Sequence, residues 1–208
     1  MRIQGFWHIW FHNHWYSIIA DQMRVLLTSG LYDASEVINI GCIGSEEEKK
    51  WFDKCFTNQY PKLKIGYYSL RAEDYEFPTL RLIEQDNSEY AGYYFHAKGV
   101  THPSETVFNH WRAWLDEAVL NRWKGHYENI QKGFDVSSVN FTASPDHFSG
   151  NYWWFNRRFI DRLPKIDKMN WKYRWGAEQY ICKAPGNFFK GEKKEPGIDT
   201  FLIQYKHD

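Results

Sequence analysis

Residues 90–99 read YAGYYFHAKG. Tyr90 to His96 is a strand that closes on a His and a Lys separated by one residue. Alternate side chains of an extended chain project the same way, so His96 and Lys98 share a face. This strand is the fourth of a regular series. Ile3 to Trp10 reads as a buried strand, Val37 to Ile43 as a short β-branched apolar run, and Lys64 to Tyr68 as a third strand. Helical segments lie between them. Apolar positions from Trp15 through Leu27 recur at helical spacing and stop at Ser29-Gly30, where glycine takes a left-handed cap readily. Ser45 before Glu46-Glu47-Glu48 opens the next helix with a capping hydroxyl and acids on its first turn. Pro78 starts a third that reaches about Ser88. The order β-α-β-α-β-α-β predicts an α/β fold with a mainly parallel sheet and helices on both faces.

Beyond that strand the spacing predicts helix from Ser104 to Gln131 with a break near Gly125. Strands are expected at Val136 to Phe141 and at Asn151 to Phe155. A short helix from Phe159 to Leu163 stops at Pro164, and another begins over Ala177 to Cys182. From about Lys190 the chain is polar and turn-rich. With no internal repeat and no linker, the 208 residues read as a single domain, 1–208, with a polar tail.

Composition narrows the function classes. Lys plus Arg and Asp plus Glu each number 26, so the net charge is zero. Such a chain is not built to coat nucleic acid or to hold an anionic membrane by charge, and no nucleic-acid partner is expected. Aromatic residues make up 19% of the chain, which excludes disorder and suits stacking on sugar rings and planar ligands. No run approaches the ~18 to 20 apolar residues of a membrane span. The N-terminal stretch MRIQGFWHIWFHNHW lacks the apolar core of a signal peptide. Cys42, Cys55 and Cys182 form no CxxC pair, which favours a reducing compartment. The expectation is a soluble, cytoplasmic protein.

In open α/β sheets ligands bind outside the carboxyl ends of the strands. That rule selects residues 11–14, 69–76, 96–102 and the loop before Asn151. Neither GxxxxGK[ST] nor GxGxxG is present, and HExxH and GxSxG are missing too. Any phosphate must therefore be gripped by side chains or a metal. Four groupings offer that chemistry. His96 and Lys98 suit a diphosphate, the His also a metal. His147 to Phe155 combines a small Ser149-Gly150 pair, which lets a ligand approach the backbone, with Asn151 and Trp153. Glu178, after a Trp175-Gly176 turn, is placed to act as a general base or merely to complement a helix dipole. Glu73, Asp74 and Glu76 precede a helix and could bind a base edge, a ribose hydroxyl or a cation.

Several of these segments together resemble one family. YFHAKG at 94–99, the Trp111-Arg112 pair, HFSGNYWWFNRRFIDRLP from His147 and WGAEQYI from Trp175 are similar to small glycosyltransferases of the GT-A fold. Those belong to glycan and polysaccharide assembly systems of bacteria, algae and large DNA viruses, with chlorella-virus domains nearest in pattern. The likeness extends to about residue 185. It implies a GT-A-like (nucleotide-diphospho-sugar transferase) mixed sheet. It also implies a nucleotide-sugar donor, UDP-linked, carrying glucose, galactose or a deoxyhexose such as rhamnose. The acceptor would be a hydroxyl of a glycan or glycoprotein, with inversion at the anomeric carbon. A viral member would work in the host cytoplasm, and further domains of a longer polypeptide fit the same pattern.

The resemblance assigns roles residue by residue. Glu178 would be the base and Lys98, with His96 and Arg112, would steady the leaving diphosphate. Trp10, His12, Asn13, Glu76 and Thr79 would meet the nucleoside, while Ser149, Gly150, Asn151 and Trp153 would meet the sugar. GT-A enzymes usually hold Mn²⁺ or Mg²⁺ with a DXD motif, but here His96-Ala97-Lys98 stands in that place. The departure puts a divalent cation in doubt, with Asp74 and His96 the candidate metal ligands. A non-catalytic carbohydrate-binding domain is the alternative reading. It explains the aromatics but not the α/β order. A single-strand nucleic-acid binder is a third, disfavoured by the zero net charge.

Overall fold

The computed structural model describes residues 1–101, 106–169 and 175–193; His102 and the tail beyond Lys193 lie outside them. Strands β1 (Arg2–Trp10), β2 (Val37–Ile43), β3 (Leu63–Ser69) and β4 (Tyr90–His96) pair in parallel in the order β3-β2-β1-β4. Helices α1 (Trp15–Thr28), the single turn α2 (Leu31–Ala34), α3 (Glu46–Phe52) and α4 (Phe77–Gln85) fill the crossovers. The capping signals are realised. Gly30 has φ 76° after α1, and Ser45 and Glu48 complete a reciprocal capping box at the start of α3.

The second half departs from expectation in instructive places. The long helical stretch divides into α5 (Thr106–Leu115), a wide π-helical segment Asp116–Asn121, and α6 (Trp123–Gln131). The break falls at Arg122 rather than near Gly125, because the π turns bury Asp116, Ala118, Val119 and Leu120 together. The expected strand 136–141 is two: β5 (Val136–Ser138), then β6 (Phe141–Thr142) beyond Asn140, whose φ of 57° ends the extended run. A hairpin not foreseen from sequence pairs β6 with β7 (His147–Phe148). Strand β8 (Trp153–Asn156) follows Asn151, at φ 54°, and α7 (Arg157–Ile160) starts early because Asn156 caps Arg158 N–H at 3.1 Å. A single turn, α8 (Gly176–Gln179), carries Glu178, and β9 (Phe188–Lys190) closes the sheet at the beginning of the expected tail.

Seven strands in the order β3-β2-β1-β4-β8-β5-β9 make one mixed sheet, with β8 antiparallel to both neighbours. Its middle strands are apolar on both faces, as layers on both sides require. Tyr93 and Phe95 of β4 join Trp7, Ile19 and Trp154 on the α1 side, while Tyr90 and Tyr94 join Phe6, Leu80, Trp153 and Phe155 on the α4 side. Aromatic pairs fix the β4–β8 register. Tyr93 stacks on its partner Trp154 at 5.0 Å, and Tyr94 on Trp153 at 4.8 Å. Such pairs add about 0.5–1.5 kcal/mol each beyond their buried area.

The third pair explains a glycine. Gly92 faces Phe155, whose ring lies across it, so a Cβ there would sit 2.1 Å from the ring. Gly92→Ala is expected to lower unfolding free energy by about 1–3 kcal/mol. Urea unfolding checks this, with an unchanged midpoint contradicting it.

Candidate functional site

The carboxyl ends of β1 and β4 open into a cavity of about 850 Å³. His8 and Trp10 line it from β1, and the chain from His96 to Thr101 from β4. Tyr75 and Glu76 contribute before α4, Phe108 and Trp111 from α5, and residues 140–143, 147, 149 and 150 from the hairpin. Trp175 and Glu178 close another side with Lys193. The imidazole–ammonium pair at 96–98 and the carboxylate at 178 thus face one space.

At the centre stands Glu76. It accepts from Tyr94 OH at 2.6 Å and from the Asn151 side-chain amide, and its other oxygen lies 3.3 Å from His96 Nδ1. His96 Nε2 donates to the Gly150 carbonyl at 3.0 Å. Both ring nitrogens of His96 therefore meet acceptors, which ties the end of β4 to the hairpin. Lys98 Nζ sits 5.1 Å from the centre of the Trp111 ring and has no ion-pair partner among the described residues, so its charge is available to an anion. Glu178, half-buried on the first turn of α8, makes no hydrogen bond among the described residues.

Other residues singled out in sequence stand behind or beside this wall. Asn151 and Trp153 are fully buried, joined by the Trp153 Nε1–Asn151 Oδ1 bond of 2.8 Å, and they position Glu76 rather than lining the cavity. Thr79 is buried too, its hydroxyl 3.3 Å from the Gly41 carbonyl and 2.9 Å from His8 Nδ1. Exposed His12 stacks on Trp10, and Asn13 donates to the Val100 carbonyl at 3.2 Å; neither lines the cavity. Arg112 points away. It donates to the Lys98 carbonyl at 3.2 Å and approaches Asp21 at 3.9 Å, and it lines a second cavity of about 570 Å³ between α1 and α5.

Among the described residues no three His, Cys, Asp or Glu side chains group as a metal site. Asp74 is outside the cavity lining and accepts from Ser69 Oγ at 2.9 Å and Tyr67 OH at 3.3 Å. The donor set does not fit a cation held between Asp74 and His96.

A family model described as "Domain of unknown function (DUF8361)" matches residues 6–201. The chain belongs to this family. No curated protein matches it. Two solved structures share the fold of this DUF8361 member at 8% identity. One is a 4-diphosphocytidyl-2C-methyl-D-erythritol synthase from Anaerococcus prevotii DSM 20548, with TM-score 0.51 over 100% of this chain and 99% of that one. The other is Rv0371C of Mycobacterium tuberculosis H37Rv, in complex with manganese, with TM-score 0.50 over the whole of both chains. Likeness at that identity establishes the fold alone. Among the described residues of the DUF8361 chain no helix is long and apolar enough to cross a membrane.

Sequence reasoning reaches Tyr75 and Thr142 only as members of 69–76 and of the loop before Asn151, and it does not point to His8, Asn140 or Lys193. His8 carries a signal, since it stands two residues before Trp10 on a strand and so shares its face. Lys193 carries none. It arrives because Gly191 N–H bonds Ser138 O at 2.7 Å and Asn140 N–H bonds Glu192 O at 2.9 Å.

Burial sets the protonation of two groups, one in the cavity wall and one behind it. It holds the His8 imidazole down to about 4, with Glu76 partly opposing. It pushes the Asp116 carboxyl up to about 7 against the pull of Arg112. Asp116 lies beside Gln22, which donates to the His96 carbonyl at 2.9 Å and to Tyr152 OH at 2.6 Å. The stability conferred by neutral His8 is full above about pH 6.5 and lost as pH falls toward 4. Asp116 acts oppositely, its contribution being lost as pH rises through 7. Asp116→Asn removes the second effect, so unfolding free energy should rise with pH between about 4 and 6.5 more steeply than in the parent. Each proton linked is worth up to about 1.4 kcal/mol per pH unit. Urea unfolding across that range measures it, and parallel profiles for the two proteins would contradict it.

Proposed function

We propose that this cavity binds a nucleotide diphosphate-sugar, UDP-linked, and that the protein transfers the sugar to a hydroxyl of a glycan or glycoprotein. The observation that carries the reading is the placement of Lys98 and Glu178 around one cavity at the carboxyl end of a mainly parallel sheet. Likeness in fold to a 4-diphosphocytidyl-2C-methyl-D-erythritol synthase supports the coarser part, a nucleotide-handling transferase. The sequence resemblance to GT-A glycosyltransferases supports the sugar.

In this mechanism an acceptor oxygen forms a bond to the anomeric carbon as the bond from that carbon to the diphosphate oxygen breaks. The electron pair leaves on the diphosphate, and the acceptor proton passes to a Glu178 carboxylate oxygen. The transition state is oxocarbenium-like at carbon, with negative charge growing on phosphate. Lys98, and Lys193 at the rim, would meet that charge where it develops, which lowers the barrier more than it tightens ground-state binding. One displacement with one base inverts the anomeric centre. Trp10 and Tyr75 offer ring faces for the base or sugar, and His8 stays neutral at their side.

Two lysines in place of a DXD pair supply cationic charge without a protein-held metal. UDP affinity is therefore expected to stay within about twofold when a chelator is added; a loss of tenfold or more would contradict this. UDP release from a panel of UDP-sugars tests the function itself. Glu178→Gln should lower turnover by ~10²–10⁴-fold while donor affinity stays within a few-fold. Lys98→Ala should weaken UDP binding. Unchanged turnover in the first or unchanged UDP affinity in the second removes that residue from its role, and binding without turnover in the parent favours a sugar-binding domain instead.

A further inference from the structure

The β6–β7 hairpin presents two unlike faces. Phe141 and Phe148 are register partners, their rings 5.4 Å apart in the core. Thr142 and His147 are the other pair, so their side chains share the opposite face. Ser149, two residues after His147, continues that face, and its N–H bonds the Asn140 carbonyl at 3.0 Å. All three polar side chains line the cavity that holds Lys98 and Glu178.

Their hydrogen bonds run in one direction. His147 Nδ1 lies 2.7 Å from the Pro145 carbonyl, which can only accept, so Nδ1 carries the proton. In the neutral ring Nε2 then accepts, and Ser149 Oγ, 3.0 Å away, is its donor. With its one proton engaged, Ser149 Oγ accepts from Thr142 Oγ1 at 2.9 Å. Every proton in the chain points back into the protein. What remains toward the cavity is lone pairs, on Thr142 Oγ1 and Ser149 Oγ, strengthened by polarisation along the chain.

We propose that Thr142 and Ser149, oriented by His147, form a subsite that accepts a hydrogen bond from a sugar hydroxyl. This rests on the proposed function and deepens it, assigning Thr142 and Ser149 to recognition and His147 to positioning. A phosphate oxygen, which has no proton to give, is disfavoured there. A carbohydrate hydroxyl is the matching chemistry, carried either by the transferred sugar or by the acceptor.

The test compares UDP with UDP-glucose, UDP-galactose and UDP-rhamnose by calorimetry on the parent, Thr142→Val and Ser149→Ala. Both substitutions keep nearly the parent volume, and thermal unfolding confirms that each variant is folded. If the hydroxyl belongs to the donor, both variants lose about fivefold to tenfold in affinity for the best-bound UDP-sugar and nothing for UDP. If it belongs to the acceptor, all nucleotide affinities and slow hydrolysis are unchanged, while KM for a glycan acceptor rises by a similar factor. Variants that match the parent in every assay, or that lose UDP itself equally, overturn the subsite and leave the function standing. A parent that binds none of the four compounds overturns the function and the subsite with it.

Discussion

The stacking of β4 against β8 is the constraint on which the site depends. Strands in register by one residue or another place different side chains at their ends, and here two stacked aromatic pairs, Tyr93–Trp154 and Tyr94–Trp153, hold one register. Continuing that register past Tyr94 brings Asn151 opposite His96, and the imidazole bonds the carbonyl of the adjacent Gly150. Gly150 has φ 98°, and a Cβ there would come within 2.5 Å of Leu115, so the turn packs closely only with glycine. The aromatic excess of this chain goes largely into such packing. Trp153, Trp154 and Phe155 are wholly buried, leaving Trp10, Tyr75, Trp111 and Trp175 to the cavity.

The cavity wall is chemically divided. At the end of β4 the group with no ion-pair partner among the described residues is a cation, Lys98, standing over an indole. The hairpin and α8 offer acceptors, the hydroxyls of Thr142 and Ser149 and the carboxylate of Glu178. Along and behind this wall runs a polar layer in which His8 pairs with Thr79, and Glu76 with Tyr94 and Asn151. Such a layer avoids a desolvation penalty only while its members remain paired, so it holds the wall rigid. A ligand with an anionic end and a hydroxyl-rich end matches that division.

Much of this is legible in the residues. Periodicity and caps mark the four parallel strands and three crossover helices, because those are local signals. The rule that ligands sit beyond strand ends leads to 96–98 from the order of the elements alone. What stays hidden is non-local. Asn140 and Asn151 adopt left-handed backbone that asparagine tolerates but does not announce, so the hairpin escapes a reading of the chain and Thr142 is reached only as part of the loop before Asn151. Asn151, Trp153 and Thr79 carry polar atoms suited to a ligand, yet packing turns those atoms toward protein partners. Arg112 follows the same logic: its neighbour Trp111 faces the cavity, and one residue on, the helix has rotated the guanidinium toward α1.

The central claim is that one ligand bridges the end of β4, the hairpin and α8. Amide hydrogen exchange with and without UDP-sugar tests it most directly, since it reports every segment at once. The account predicts slowed exchange at residues 96–101, 140–150 and 175–179 together, with α1 and α5 unchanged on their shared side. Protection confined to the second cavity around Asp21 and Arg112, or protection of only one of the three segments, would contradict it.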